Sequence, residues 1–217
     1  ILRRATEVGA FINFDMESYK LKDLTLALFK SILEEPEFRT QPAIGIALQA
    51  YLRDSESDLR DLIAWARTNA RPLGVRLVKG AYWDYETILA RQRDWPVPVW
   101  SKKPESDANY EKLSLLLLEN IDVISPAFGS HNVRSCAHAI AQAERLLGTL
   151  AHRLAGLDVP ETAARVLDRA RRAAETDRRQ ALWEAEMARQ ALAPLGLPVL
   201  LLKGSAYLAA GMDAGRG

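Results

Sequence analysis

Short apolar or β-branched runs alternate with longer stretches of helical periodicity from the N-terminus to about Leu147, and this alternation restricts the fold more than any other feature. It is typical of βα units, in which helices connect parallel strands and cover the sheet. The pattern predicts four strands, at residues 10–15, 44–51, 75–79 and 123–128. The predicted helices follow at residues 20–35, 57–70, 107–119 and 133–147. The first of these helices carries four apolar residues on one face, Leu21, Leu24, Leu28 and Ile32.

The sequence changes character after Gly148, where Ala, Arg and Leu recur at helical spacing and charged faces extend from Glu161 to Arg189. We therefore place a boundary near residues 147–150, which divides the chain into a βα segment at 1–147 and a mainly helical segment at 148–217. Near the end, a strand-like run at Val199–Leu202 leads into Lys203-Gly204-Ser205.

Charge and composition exclude several classes of function. The 29 basic and 28 acidic residues nearly cancel, so no overall field draws the chain to nucleic acid or to an anionic membrane. No apolar run approaches the roughly 20 residues that cross a bilayer. The single cysteine, Cys136, cannot form an internal disulfide, which fits a reducing compartment. One cysteine and 3 scattered histidines give no metal-ligand spacing, so no metal site is predicted.

Polar side chains stand at the carboxyl ends of all four predicted strands. Functional groups of parallel α/β proteins gather at that edge, because the loops open there. A shared site is therefore predicted from these residues: Asp15 after the first strand, Gln49 and Tyr51 after the second, Arg76, Lys79 and Tyr82 after the third, and Ser130, His131 and Asn132 after the fourth.

Each of these residues also has a purely structural interpretation. Asp15 and its neighbours can cap the next helix. Gln49 is the exception, because it lies in an apolar run where an unpaired amide costs about 1–3 kcal/mol, so a functional role is favoured over a structural one. Arg76 and Lys79 are three residues apart and point to opposite faces of a strand, so both reach one site only if the strand ends or bends between them. His131 alone is more often a structural histidine.

Five segments together resemble one family. In chain order they are FDMESY (14–19), LQAYL (48–52), RLVKGAYWD (76–84), SKKPESDANY (101–110) and FGSHN (128–132). They look like the successive signature segments of proline dehydrogenase, in particular the barrel domain of the bifunctional proline utilisation enzymes. The resemblance covers residues 1–147. It implies an α/β fold, a partial (β/α)₈ TIM barrel of about strands 2 to 5, followed by a mainly α-helical C-terminal segment.

This resemblance implies an oxidoreductase of proline catabolism. The family is a flavoprotein family that uses FAD to oxidise L-proline to Δ1-pyrroline-5-carboxylate and passes the electrons to a quinone. It implies a cytoplasmic protein, peripheral to the inner membrane at most, with no nucleic-acid partner.

The matching motifs imply roles for particular residues. Asp15 would lie near substrate and flavin, and Arg76 would donate near flavin N5. Gln49 would bond the flavin ring system, and Tyr82 would face the substrate. The remaining implied cofactor-binding residues are Met16 beside the flavin, Lys79, Gly80 and Ala81 at the ribityl and phosphate groups, Trp83 on the adenine side, Ser101 at the adenosine end, and Ser130 with His131 at another part of the cofactor.

Two elements of the family pattern are missing: the first strand with its substrate-binding lysine, and a late helix whose paired arginines clamp the proline carboxylate. The pairs Arg171-Arg172 and Arg178-Arg179 lie in the helical segment and match no such motif. We therefore expect an incomplete fragment or fusion that binds FAD weakly at best and oxidises no proline by itself. A non-catalytic half-barrel that pairs through its open edges is an alternative.

The C-terminal residues Leu192–Gly217 are similar to the start of certain uncharacterised bacterial nucleotidyltransferases, in which a strand with LKG precedes paired metal-binding aspartates. The sequence stops before such aspartates. A nucleotidyltransferase fragment is thus a further alternative, for which no transfer chemistry is expected.

Overall fold

The computed structural model describes residues 1–39, 44–153 and 159–195. Its contacts divide the chain into two compact units, residues 1–139 and 140–217. The strand predicted at Val199–Leu202 and the LKG motif lie outside the described residues. The domain boundary near 147–150 stays a prediction.

The first unit is built from parallel strands with intervening helices. Its sheet has four strands among the described residues. They lie side by side in chain order, and every neighbouring pair is parallel. This confirms the predicted α/β class. The elements of the described residues are α1 Leu2–Val8, β1 Ile12–Phe14, α2 Tyr19–Glu34, β2 Ile44–Gln49, α3 Ser55–Thr68, β3 Leu73–Val78, α4 Trp83–Gln92, α5 Lys103–Leu118, β4 Ile124–Gly129, α6 Val133–Arg153, α7 Glu161–Leu192 and a 3₁₀ turn at Ala193–Leu195.

Strand register divides the sheet into two faces, because successive side chains of a strand point in opposite directions. One face packs under the helices and forms the main core; we call it the covered face. Its strand residues are Ile44, Ile46, Leu48, Leu73, Val75, Leu77 and Ile124, all at most 1% exposed. The opposite face carries small or polar residues, and we call it the cleft face. Its rows are Gly45–Gly74–Ser125, Ala47–Arg76–Ala127 and Gln49–Val78–Gly129.

Helix α2 buries a different side from the one that its leucines indicate. Leu21, Leu24 and Leu28 are exposed, whereas Leu26, Phe29 and Leu33 pack in the core. The buried side also includes Lys22, which is 4% exposed. Helix α2 therefore carries two apolar stripes. The stripe that packs against the sheet is the one that also contains a lysine.

Carboxylates from α2 and α3 surround the Lys22 ammonium and account for its burial. Its Nζ lies 2.8 Å from Asp23, 3.1 Å from Asp54 and 2.8 Å from Asp58. Burial lowers the pKa of Lys22, but the hydrogen bonds that it donates to Asp23, Asp58 and Asp54 outweigh burial and raise the pKa above its ordinary value. The lysine thus stays charged while it joins the two helices.

The segment between β3 and α5 contains a helix that periodicity did not predict. The sequence pattern predicts no helix between the strand at 75–79 and the helix at 107–119, yet residues Trp83–Gln92 form α4. The buried side of α4 consists of Glu86, Thr87 and Ala90, while Tyr85 and Ile88 are exposed. An apolar stripe is therefore absent from its buried side, which explains why the pattern gave no helical signal.

The second unit contains the later part of α6 and helix α7. Helix α7 begins after Pro160 and continues to Leu192, which confirms the predicted helical character of this region. The two helices approach closely where both carry small residues, since a Cβ added at Gly148 would lie 2.8 Å from the Cβ of Ala174.

Candidate functional site

An open cleft of about 500 Å³ lies at the carboxyl ends of the four strands. Its volume falls in the range typical of small-molecule and cofactor sites. Side chains and backbone from the ends of all four strands line it. The lining residues are Asp15, Met16, Glu17, Ala47, Gln49, Arg76, Val78, Lys79, Gly80, Ala81, Tyr82, Lys103, Gly129, Ser130, His131 and Asn132. The four residues Asp15, Gln49, Arg76 and His131, expected to converge from adjacent parallel strands, thus share one cavity.

Arg76 stands in the middle row of the cleft face. Its neighbours across the sheet are Ala47 and Ala127, whose methyl groups leave room above them for the guanidinium. Arg76 donates a short hydrogen bond to Asp15 at the end of β1. Asn13 also donates to this carboxylate, at 2.8 Å. Asp15 therefore bonds across the sheet, and helix α2 receives no cap from it.

Gln49, at the end of β2, is 5% exposed and uses its side chain within the protein. Its Nε2 donates to the carbonyl oxygen of Met16 at 2.6 Å. This bond ties the loop after β1 to the central strands. The amide is thus satisfied, as its burial requires.

Lys79 reaches the same cleft as Arg76 because β3 ends at Val78, so strand alternation no longer applies to it. Its ammonium pairs with Asp107 on α5 and lies 5.7 Å from the centre of the Tyr110 ring. Lys103 pairs with the same carboxylate at 2.7 Å. Burial opposes ionisation of Asp107, but the bonds from Lys103 and Lys79 prevail and hold its pKa below the ordinary value.

The turn after Lys79 depends on a glycine. Gly80 has φ of 117°, a conformation that other residues rarely adopt, and a Cβ at this position would lie 2.2 Å from the Tyr51 ring. Tyr51 supports the turn from below, since its N–H donates to the Lys79 carbonyl at 2.8 Å. Sequence reasoning placed Tyr51 among the residues of the site, but the structure places it beneath the turn, outside the cleft lining.

The end of β4 contributes a polar turn. The Ser130 hydroxyl accepts from the Asn132 N–H at 3.1 Å, and the Asn132 side chain accepts from the Ser135 N–H at 3.1 Å at the start of α6. Cys136 donates to the Ser130 carbonyl at 3.3 Å. These bonds fix the turn, while His131 remains exposed and lines the cleft.

Trp83 and Ser101 lie outside the cleft lining. The Trp83 indole donates to the Trp100 carbonyl at 2.7 Å, and Ser101 donates to Glu105 at 3.1 Å. Two charged lining residues were missed from the sequence, Glu17 and Lys103, as were the small or apolar residues Ala47, Val78 and Gly129. Lys103 begins α5, far from any strand end in sequence, so only the tertiary fold brings it to the cleft.

A second cavity, of about 580 Å³, lies in the helical unit and includes both arginine pairs of α7. Arg171 and Arg172 pair with Asp168, and Arg178 and Arg179 pair with Glu175. Each carboxylate therefore forms ion pairs with the two arginines that lie three and four residues after it.

Two kinds of feature are absent from the described residues. Within residues 1–39, 44–153 and 159–195, no helix combines the length and apolar character that crossing a membrane requires. Over the same residues, no group of three or more His, Cys, Asp or Glu side chains is arranged to hold a metal ion.

Known families match two overlapping parts of the chain. The sequence profile described as "Proline dehydrogenase" matches residues 1–160. A profile described as "Uncharacterised nucleotidyltransferase" matches residues 134–216. The chain is 34% identical over 149 residues to the bifunctional protein PutA of Klebsiella aerogenes, a match that covers 68% of this chain and 11% of that protein. It is 33% identical over 113 residues to the proline dehydrogenase of Deinococcus radiodurans, which covers 52% of this chain and 30% of that enzyme.

The fold also matches solved structures. The proline utilization A protein (PutA) of Bdellovibrio bacteriovorus, inactivated by N-propargylglycine, superimposes with a TM-score of 0.65 at 55% identity. That match covers 66% of this chain and 15% of the other. The chain thus spans a small part of the length of these relatives. The four parallel strands form part of a (β/α)₈ barrel of TIM type, as the resemblance predicted.

Proposed function

This chain belongs to the proline dehydrogenase family, and we propose that its cleft is the flavin and substrate face of an enzyme that oxidises L-proline to Δ1-pyrroline-5-carboxylate with FAD. One observation carries the proposal: Asp15, Gln49, Arg76 and His131 come from the ends of four adjacent parallel strands and line one cavity. This is the edge at which barrels of this type bind ligands.

The residues of the cleft fit a flavin dinucleotide. Gly129 presents bare backbone to the cleft, where an added Cβ would meet Val78 at 3.0 Å, and Gly80 permits the turn that brings backbone to the cleft after Lys79. The cations Arg76, Lys79 and Lys103 supply donors for a pyrophosphate and for a ring that gains negative charge. When bound, FAD would supply the acceptor for the hydride that leaves proline.

The chain's own residues would bind and orient the ligands. Arg76, held by Asp15, would place a fixed positive charge at the flavin ring, and Gln49 would hold the Met16 backbone against it. Tyr82 would contact the substrate. Other contacts would follow the motifs: Lys79, Gly80 and Ala81 at the ribityl and phosphate groups, Trp83 and Ser101 toward the adenosine, and Ser130 with His131 at a further part of the cofactor.

Electron transfer would end on a quinone, in a cytoplasmic protein that meets the membrane peripherally at most. The charge balance of +1 favours no membrane surface, which is consistent with this arrangement. The relatives named above are proteins of proline metabolism, which supports L-proline as the substrate.

A flavin titration of the purified chain tests the proposal. We expect saturable but weak FAD binding, with absorption bands at about 375 and 450 nm in the bound fraction, and no turnover of proline with a dye acceptor by this chain alone. Arg76→Met should weaken binding at least about tenfold, because it removes a charged donor. Arg60→Met is the matched control, since Arg60 lies outside the cleft lining and pairs with Glu56 on the surface of α3. Absence of binding, or equal binding by both variants, would refute the proposal.

A further inference from the structure

Glu86 is a buried carboxylate that belongs to no part of the cleft lining. It lies on the first turns of α4 and is 3% exposed. Within the described part of the chain, it forms no ion pair with a lysine, arginine or histidine. Burial of an unpaired carboxylate is expensive, so its retention requires a compensating interaction.

That interaction is with the start of helix α2. The Glu86 Oε1 accepts a hydrogen bond from the Tyr19 N–H at 2.8 Å, and Tyr19 is the first residue of α2. Ser18, the N-cap residue, makes no side-chain cap bond, and the first turn of α2 contains no acidic residue. Glu86 therefore supplies, from another helix, both the acceptor and the negative charge that favour a helix N-terminus.

The loop that ends at Tyr19 carries part of the cleft. Asp15 pairs with Arg76 across the sheet, and the Met16 carbonyl accepts from Gln49. The opposite end of this short loop is the amide bound by Glu86. These three contacts hold the loop, and the one with Glu86 lies away from the cleft lining.

The charge of Glu86 also acts on the residue that supports the turn after β3. Burial, and then the charge of Glu86, raises the pKa of Tyr51 to about 12. The Tyr51 ring occupies the space directly under Gly80. The interaction that connects Glu86 to the cleft is the hydrogen bond that it accepts from the Tyr19 N–H.

We propose that Glu86 is a positioning residue of the cleft, which caps α2 and thereby holds the Asp15–Ser18 loop in register with Arg76 and Gln49. It contacts no ligand and acts only through this loop. The consequence for FAD rests on the proposed function, whereas the ordering of the loop is independent of it.

Three variants of the full chain test this role. Glu86→Ala removes the acceptor, and Glu86→Gln keeps a neutral one. Thr87→Val is the control, because Thr87 is similarly buried on the same helix and its hydroxyl has no hydrogen-bond partner among the described residues. Amide hydrogen exchange, measured by NMR without ligand, should be about 10- to 100-fold faster at Tyr19 in Glu86→Ala. Exchange should be largely restored in Glu86→Gln and unchanged in Thr87→Val, and amides at the centre of β2 should keep their protection in all three.

FAD titration of the same variants supplies the second measurement. Binding should weaken about fivefold or more in Glu86→Ala, recover in Glu86→Gln and stay unchanged in Thr87→Val. Unchanged exchange at Tyr19 in Glu86→Ala would overturn the proposal, as would equal losses of affinity in Glu86→Ala and Thr87→Val. If the unmodified chain binds no FAD, the proposed function fails, and the exchange data alone decide the role of Glu86.

Discussion

The covered face and the cleft face of the sheet alternate residue by residue along the same strands, yet they differ in almost every physical property. On β3, Leu73, Val75 and Leu77 are at most 1% exposed and pack under helices, whereas Arg76 between them reaches an open cleft. The covered face is held by apolar burial. The cleft face is stabilised by ion pairs and hydrogen bonds at the carboxyl ends of its strands. Stability and ligand binding can therefore be changed separately by substitutions one residue apart.

The largest effect is expected on the covered face. Leu77→Ala should lower the free energy of unfolding by about 2–5 kcal/mol, because it opens a cavity in a fully buried core. Val78→Ala, the adjacent substitution on the cleft face, should cost less than about 1.5 kcal/mol, since Val78 is only partly buried. Urea unfolding followed by circular dichroism measures both. Equal losses in the two variants would contradict the division into faces.

An intermediate effect is expected at the turn below the cleft. Gly80→Ala places an L residue at a φ of 117° and directs its methyl group into the Tyr51 ring. The strained backbone alone should lower the free energy of unfolding by about 1–3 kcal/mol, and the clash should lower it further. Gly9→Ala separates the two causes, since Gly9 also has positive φ, 66°, but nothing lies within 4 Å of an added Cβ. Thermal unfolding should show a smaller loss for Gly9→Ala, about 1–2 kcal/mol. If Gly9→Ala lowered the free energy of unfolding as much as Gly80→Ala, the Tyr51 ring would have to move aside at little energetic cost.

The smallest effect concerns the charges at the cleft edge. The folded-state pKa of Asp107 lies below its ordinary value of 3.8, so its contribution to stability is present above pH 3.8 and is lost as the pH falls through the folded pKa. Asp107→Asn should therefore be less stable than the unmodified chain at pH 7, and the difference should narrow below pH 3.8. Urea unfolding at pH 7 and at pH 3 provides the comparison. A difference that does not change with pH would show that the ion pairs contribute nothing.

Sequence periodicity predicted the strands well because each one is both short and apolar on its covered face. Helix α4 escaped prediction because its buried side is made of Glu86, Thr87 and Ala90, which leave no apolar stripe. The leucines of α2 form a regular apolar stripe, but this stripe is exposed. The core instead contains the side with Lys22, whose burial depends on Asp54 and Asp58 at the start of α3. Hydrophobic periodicity within one helix cannot predict ion pairs with residues so distant in the sequence.

The site was predictable to a similar extent. Strand ends identified Asp15, Gln49 and Arg76, because parallel topology alone brings them to one edge. Lys103 and the capping role of Glu86 could not be found in this way, since both depend on how helices dock. The roles assigned to Trp83 and Ser101 stay predictions, and these two residues lie outside the cleft lining.

Two glycines of the lowest cleft-face row have a consequence for evolutionary variation. The Phe11 ring lies against Gly45 and Gly74, and a Cβ added to either would come within 2.8 Å or 3.1 Å of its Cζ atom. Neither glycine has a positive φ, so the constraint is one of volume. Positions 11 and 74 should therefore covary among homologues: where a larger residue replaces Gly74, a smaller one should replace the phenylalanine. Position 45 should stay glycine, because a Cβ there would also lie 2.8 Å from the Gly74 carbonyl oxygen.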